Sequence, residues 1–284
     1  MSGFSADWLA LREPYDGRAR NRDVLASVAA AASAADAAAV VDLACGTGAT
    51  LRAIAPCLPP RQDWRLVDND LSLLARAAAG KAVPGIAVTR IPVDLARDLE
   101  AALDGPVNLV TASALLDLVS AAWLDRLVTE VAARRLPFYA ALNYDGRVTF
   151  DPADPLDAAV IAAVNEHQRT DKGFGPALGP RAAEAAIARF QAANYAVVHG
   201  RSDWHLLPRD RDIQRDMLAG WAGAAREIGA VSLPDAAGWL TRRRDLLAAG
   251  RSTITVGHVD IFARPIGTRA AERSQSKRTS SPSG

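Results

Sequence analysis

The chain predicts an α/β protein built on a doubly wound, mostly parallel sheet with helices on both faces. Three observations carry this. Short apolar runs alternate with helical patterns from Val40 to Leu142, the order that sandwiches a parallel sheet between helical layers. The first run ends in a glycine turn, Ala44 to Gly48, that opens a helix. Half of the residues are hydrophobic and 23% are charged, enough apolar material for a buried sheet.

The elements follow in order. Residues Ala6 to Ala32 read as helical, with a break near Pro14 and Gly17, since the residue before a proline is pushed out of the α region. Val40 to Leu43 is the first strand, and Ala49 to Ala55 its helix, closed by Pro56. Trp64 to Val67 is the second strand, followed by a helix from Leu71 to Ala79. Ile86 to Arg90 is the third, with a short helix from Asp98 to Leu103. Val107 to Thr111 and the helix Trp123 to Arg134 come next, then the fifth strand, Pro137 to Leu142. Each crossover is expected to be right-handed.

After the fifth strand the alternation changes. Residues 145–180 read as an insertion, with a helix from Leu156 to Gln168 and a Gly/Pro-rich loop from Thr170 to Pro180, placed as a lid over a pocket. A helix from Arg181 to Ala193 precedes two short strands, Ala196 to His199 and Trp204 to Leu207. Helices from Arg211 to Ile228 and Pro234 to Ala248 lead into a last strand, Ser252 to Phe262. The organisation is thus an N-terminal helical segment, 1–39, a main domain, 40–267, and a Ser-, Arg- and Pro-rich tail, 268–284, expected to be disordered.

Composition narrows the function. The chain has 33 basic and 32 acidic residues, net +1, and the tail alone carries four of the basic ones against one acid. The remaining body is slightly acidic and is not built to neutralise many phosphates, which disfavours a dedicated nucleic-acid module. Two cysteines, Cys45 and Cys57, make no disulfide framework. The first eleven residues lack the apolar core of a secretory signal, and no apolar stretch is long enough for a membrane span. A cytoplasmic protein, monomeric or homodimeric, is the expectation. The four histidines are scattered without ligand spacing, so no metal site is expected. Sixty alanines and thirty arginines against three lysines mark a coding bias, so single alanines and arginines carry little weight.

The informative segment is Val40-Val41-Asp42-Leu43-Ala44-Cys45-Gly46-Thr47-Gly48. Glycine takes backbone angles closed to other residues and lets a ligand approach the main chain, and the following helix offers unpaired N–H groups. Asp68 stands 20 residues beyond Gly48, at the end of the second strand. An acid there can accept from both hydroxyls of a ribose. The dinucleotide fingerprint G-x-G-x-x-G, started at Gly46, meets Leu51 where its third glycine belongs, which disfavours NAD(P) and FAD.

The segment resembles the first motif of the class I S-adenosylmethionine-dependent methyltransferases, acid-x-G-x-G-x-G. Asp42 matches the acid, Gly46 and Gly48 the second and third glycines, and Ala44 replaces the first. The resemblance continues in Leu66-Val67-Asp68-Asn69-Asp70, where Asp68 would hold the ribose, and in Pro92-Val93-Asp94-Leu95, where Asp94 would meet the adenine. It extends to Asn108 through Asp117, a block beside the methyl donor in that family, with Asn108 in place of the usual acid. It covers residues 42–143, with the closing strands loosely matched. The resemblance implies a Rossmann-like, seven-stranded sheet and S-adenosyl-L-methionine as cofactor. It implies Asp42, Ala44, Gly46, Gly48, Asp68, Asn69, Asp94, Leu95 and Ser113 as cofactor-binding residues. The sulfonium carries the hard chemistry, and the protein aligns the acceptor and excludes water.

The acceptor side is expected in the loops beyond the carboxyl ends of strands four and five. Asp117 there reads either as a site residue or as the cap of an exposed turn, and Tyr144 lies in the polar stretch Asn143-Tyr144-Asp145-Gly146. His167 lies in a run of hydrogen-bonding residues ending at Gly175 and reads as a general base or as a polar helix end. Lys172 and Arg169 in the same run suit an anionic acceptor or a solvated loop. The clustered Arg12-Glu13-Pro14-Tyr15-Asp16-Gly17-Arg18 precedes the first strand, where a segment folds over the donor in related enzymes; an arginine there can hold a carboxylate. Cys45 reads as a small buried hydrophobe and Trp204 as core. The triplet Arg242-Arg243-Arg244 reads as a solvated helix face.

A small-molecule acceptor is the expected partner. Thr111 to Ala114 lacks the Asn/Asp-Pro-Pro-aromatic block of base-amino methyltransferases, which disfavours nucleic acid. Three alternatives stay open. The acceptor is an RNA or protein, with steep salt dependence; the chain is a nicotinamide-dependent reductase that binds NADH instead; or it is an idle cofactor-binding protein without turnover.

Overall fold

The computed structural model describes residues 4–77 and 83–267. Eight strands form one sheet: β1 (Ala37–Leu43), β2 (Arg61–Asp68), β3 (Ile86–Pro92), β4 (Leu109–Ser113), β5 (Phe138–Asp151), β6 (Tyr195–Arg201), β7 (Trp204–Leu206) and β8 (Thr253–Pro265). Their order is β3-β2-β1-β4-β5-β8-β6, with β7 paired to the far part of β8. The first five strands are parallel, and β8 runs antiparallel to β5, β6 and β7. This is the doubly wound, mostly parallel sheet expected, with β7 added as an eighth strand. The chain reverses direction across the sheet between β1 and β4, and a crevice opens there beyond their carboxyl ends.

Alternation along the strands builds the two helical layers. Val41, Leu43, Val110, Ala112 and Phe138 face a core with helices α5 (Leu99–Ala102), α6 (Ala121–Ala133) and α8 (Ala182–Ala192). Val40, Trp64, Leu66, Tyr139 and Phe262 face the opposite core, with α2 (Arg22–Ala32), α3 (Ala49–Ile54) and α4 (Leu71–Ala77). Strands buried on both faces read as continuous apolar runs, which is why the central ones are legible in the sequence.

A third core is not. The strand expected to end at Leu142 continues to Asp151, because β8, 13 residues long, pairs along it past two irregularities in register. The distal halves of β5 and β8, with β7, pack against α7 (Asp157–His167), α9 (Arg211–Ile228) and α10 (Leu233–Ala248). Residues 145–151 are therefore strand, and the helix of the expected lid belongs to this third core. Arg243 is another departure. It is fully buried, ion-paired with Asp157, donates to Pro152 O at 2.7 Å and stacks on Phe150. Arg242 pairs with Asp154 at 2.6 Å, so the arginine triplet is not a free basic face.

The N-terminal helix α1 (Ala6–Ala19) runs through Pro14 and Gly17 without the expected break. Proline removes one donor and strains one turn, but the Arg12–Asp16 pair spans it at 2.9 Å and tertiary contacts hold both sides. The break falls at Arg20 and Asn21, whose Oδ1 caps α2 by accepting from Asp23 N and Val24 N at 3.1 Å. The tail, 268–284, lies outside the described residues. Among those described, no helix is long and apolar enough to cross a membrane.

Candidate functional site

The turn after β1 is locked from below. Cys45 N donates to Val67 O at 2.9 Å, and Gly48 N to Cys45 O at 2.8 Å. Ala44, Gly46 and Gly48 take positive φ values of 52°, 53° and 79°. An alanine thus holds the left-handed conformation that glycine would adopt more cheaply. Asp68 ties the turn to β2: Oδ2 accepts from Gly46 N at 2.8 Å and Oδ1 from Asp70 N at 3.0 Å. Asp70 instead caps α4, accepting from Ser72 N and Leu73 N. From above, α1 crosses the turn. A Cβ on Gly46 would stand 3.1 Å from Leu9 Cδ1. Glu13 receives a forked pair from Arg52 of α3 at 2.6 and 2.7 Å.

Between the turn, α1 and the ends of β2, β3 and β4 lies a cavity of about 860 Å³. That suits a ligand of nucleoside-cofactor size. Ala44, Cys45, Gly46, Asp68, Asn69, Asp94, Leu95 and Ser113 line it, as do Arg12 and Asp16 of α1 and Lys172, Gly173 and Phe174 of the loop after α7. Asp94 also caps its own turn through Ala96 N at 3.0 Å. Gly48 is the N-cap residue before α3 and is off the wall.

Asp42 is not on the wall either. It is fully buried under the turn, with Oδ1 accepting from Thr111 Oγ1 at 2.7 Å and Oδ2 unpartnered. Burial pushes its carboxyl up to about 7, against the pull of the Thr111 hydroxyl and of Arg20. Arg20 is buried alongside, donating to Tyr139 Oη at 3.0 Å and Ser113 Oγ at 3.1 Å. Thr50 Oγ1 donates to the same Ser113 Oγ at 3.0 Å. Asp260 completes the floor, accepting from Leu142 N at 2.7 Å and Asn21 N at 2.9 Å. Sequence reasoning does not reach Arg20, Thr50 or Asp260. A polar residue inside an apolar strand, Asp260 in β8, is the available signal.

The three expected acceptor-side residues lie behind the wall. Asp117 is buried, its Oδ1 has no partner, and burial raises its carboxyl to about 6. Tyr144 is buried and donates to Asn165 Oδ1 at 2.8 Å. Burial pushes its phenol well up. It packs edge-on to His258, which also contacts Trp204. His258 is held neutral by burial, its pKa brought down to about 3. Trp204 Nε1 donates to Asp16 Oδ1 at 3.1 Å, so the Arg12–Asp16 pair on the wall rests on this cluster. His167 ends α7, with Nε2 3.1 Å from Glu227 Oε2 of α9 and Nδ1 3.4 Å from Lys172 Nζ. A Pro-Cys pair, the dipeptide that cytosine C5 chemistry would call for, does occur at Pro56-Cys57, but it sits on an exposed turn off the wall.

No protein-family model and no curated protein matches the chain. Solved structures do. A cyclopropane-fatty-acyl-phospholipid synthase-like protein from Lactobacillus casei superposes with a TM-score of 0.52 at 14% identity, over 92% of this chain and 95% of that one. A cyclopropane synthase from Mycobacterium tuberculosis gives 0.49 at 12% identity over 92% and 95%. An S-adenosylmethionine-dependent methyltransferase from Thiobacillus denitrificans, solved with S-adenosyl-L-homocysteine, gives 0.43 at 16% identity over 93% and 100%. The likeness to the Lactobacillus protein is one of fold. Together with the strand order, it shows a doubly wound, Rossmann-like fold.

Proposed function

We propose that the protein transfers a methyl group from S-adenosyl-L-methionine to a small-molecule acceptor. One observation carries the reading: Asp68, at the end of β2, braces the glycine turn by one oxygen and still lines the cavity that the turn helps enclose. Each of its oxygens accepts one N–H and keeps a lone pair for a ribose hydroxyl. The remaining donor set fits the same cofactor. Asp94 and Leu95, on the same wall, would receive the adenine. Leu51, on α3 itself, packs its side chain against the core on that face of the sheet, which argues against the close helix approach of a dinucleotide site.

When bound, the cofactor supplies an already activated methyl on a sulfonium, so no protein nucleophile is needed. The chain's part is to hold and to exclude water. Asp68 and the turn orient the donor, while Leu115, Leu118 and Phe174 line the wall with apolar surface. Asp117 and Tyr144 act from behind the wall as positioning groups, and His167 acts through Lys172. Binding of S-adenosyl-L-homocysteine, measured by calorimetry, tests the reading. Asp68→Ala is expected to weaken it about ten- to a hundredfold, roughly 1.4–2.8 kcal/mol. Binding of NADH in its place would refute the reading.

A further inference from the structure

The cavity wall carries two cations among the described residues, and one is already spent. Arg12 is held by both oxygens of Asp16, at 2.9 and 3.3 Å. Lys172 is different. Its Nζ meets Thr170 Oγ1 at 2.9 Å and His167 Nδ1 at 3.4 Å, and no carboxylate among the described residues forms an ion pair with it. In the tautomer that suits both neighbours, Nε2–H of His167 donates to Glu227 and Nδ1 accepts from the ammonium. The imidazole thus aims the lysine without neutralising it. The loop that carries it is pinned. Asp171 Oδ1 accepts from Gly173 N at 2.6 Å and Gly175 N at 3.0 Å, and Phe174 packs edge-on to Trp123 at 5.3 Å. This loop rests on the β4 side of the cavity, through Ser120 and Trp123, while Arg12 comes from the helix crossing the glycine turn. The same wall carries apolar side chains, Leu115, Leu118 and Phe174. A partly desolvated ammonium with no salt-bridge partner is costly to keep unless a ligand uses it; burial lowers its proton affinity, against the pull of the Glu227 charge beyond His167.

We infer that Lys172 is the acceptor-binding cation, and that the acceptor is a small molecule with an apolar body and one oxyanion, a carboxylate or a phosphate. His167 and Glu227 are positioning residues for it. The inference rests on the methyltransferase reading, since it assigns the other wall to the donor.

The test exploits a lysine-poor chain. Three lysines, Lys81, Lys172 and Lys277, give three Cε signals in protein labelled with ¹³C-lysine, and Lys172→Arg assigns the one that matters. Benzoate and phenyl phosphate are titrated into the full chain with S-adenosyl-L-homocysteine bound. The expected result is a saturable shift of the Lys172 signal by at least one probe. That probe's affinity should fall at least tenfold in Lys172→Met and be largely kept in Lys172→Arg. The stronger of the two probes distinguishes carboxylate from phosphate. In Lys172→Met, S-adenosyl-L-homocysteine should bind within about twofold of wild type, which also shows that the variant is folded. His167→Gln should leave the ammonium in place but alter the titration of its Cε signal, which a purely structural histidine would not. A Lys172 signal unmoved by both anions overturns the inference. So does a Lys172→Met variant that loses S-adenosyl-L-homocysteine as well, which would give the lysine to the donor's carboxylate. Failure of the wild type to bind S-adenosyl-L-homocysteine refutes the methyltransferase reading itself, and is recognised because it precedes any variant.

Discussion

Asp42 and His258 are both buried, and burial destabilises each in its charged form, with opposite consequences for pH. The Asp42 carboxyl titrates at about 7 in the folded chain, against about 3.9 when unfolded. The native state therefore holds a proton that the unfolded state has released, and stability falls as pH rises between those values, by at most about 1.4 kcal/mol per pH unit. Asp42→Asn should remove that slope while keeping the shape of the side chain. Urea midpoints at about pH 5 and about pH 7 should differ less in the variant than in wild type. His258 titrates at about 3 in the folded chain, against about 6.5 unfolded. Its contribution is complete above the unfolded value and is lost as pH falls toward the folded one. His258→Gln should flatten the acid limb of the stability profile; an unchanged limb would show that His258 is protonated in the native state. Neither burial is legible locally. Its place in a motif points to Asp42 as a cofactor contact, and only the packing of Thr111 and Thr50 around it shows a residue set beneath the floor. Asp68 is legible, because an acid at a strand end opposite a glycine turn has few other geometries open to it.

At the scale of elements, the third core is held by an ion pair with no access to water on the arginine side. Arg243 joins α10 to Asp157 at the start of α7, and Trp239 Nε1 reaches the same carboxylate at 2.8 Å. Removing one partner of such a pair strands the other's charge, at a cost of about 3–5 kcal/mol. Arg243→Ala should lower the thermal midpoint accordingly and loosen α7, and with it the loop that follows. Hydrogen exchange should report faster exchange in α7 and α10 than in α6. A loss confined to a few tenths of a kcal/mol would mean that the pair is dispensable. The helix boundaries themselves are legible, α9 to the residue, because its apolar positions recur at helical spacing and Gly229 closes it with a left-handed backbone. The continuity of α1 through Pro14 is not, since the forces that override a proline lie in α3, in the turn and in Trp204.

At the scale of the molecule, every residue lining the cavity falls between Phe4 and Phe174. The tail carries four basic residues against one acid, whereas Arg242 and Arg243 of the arginine triplet are paired. Removing residues 268–284 should leave the affinity for S-adenosyl-L-homocysteine within about twofold. Turnover with a small anionic acceptor should keep a shallow salt dependence, since few ion contacts are involved. A truncated protein that binds donor normally but loses all acceptor turnover, with steep salt dependence in the full chain, would favour an RNA or protein acceptor instead.

The sequence by itself determined the layered α/β architecture, the glycine turn and the acid opposite it. These depend on periodicity and on backbone angles, which neighbouring residues dictate. It also placed a polar loop after the fifth strand. Tertiary structure alone decided which of those polar groups reach the cavity. His167 and Lys172 lie five residues apart in one run, yet the lysine lines the cavity and the histidine stands behind it on Glu227, 60 residues further along the chain. Tertiary structure likewise decided that Asp42 and Arg243 are buried. A side chain's burial and charge partner are set by elements distant in sequence, and those contacts leave no periodic trace in the chain that makes them.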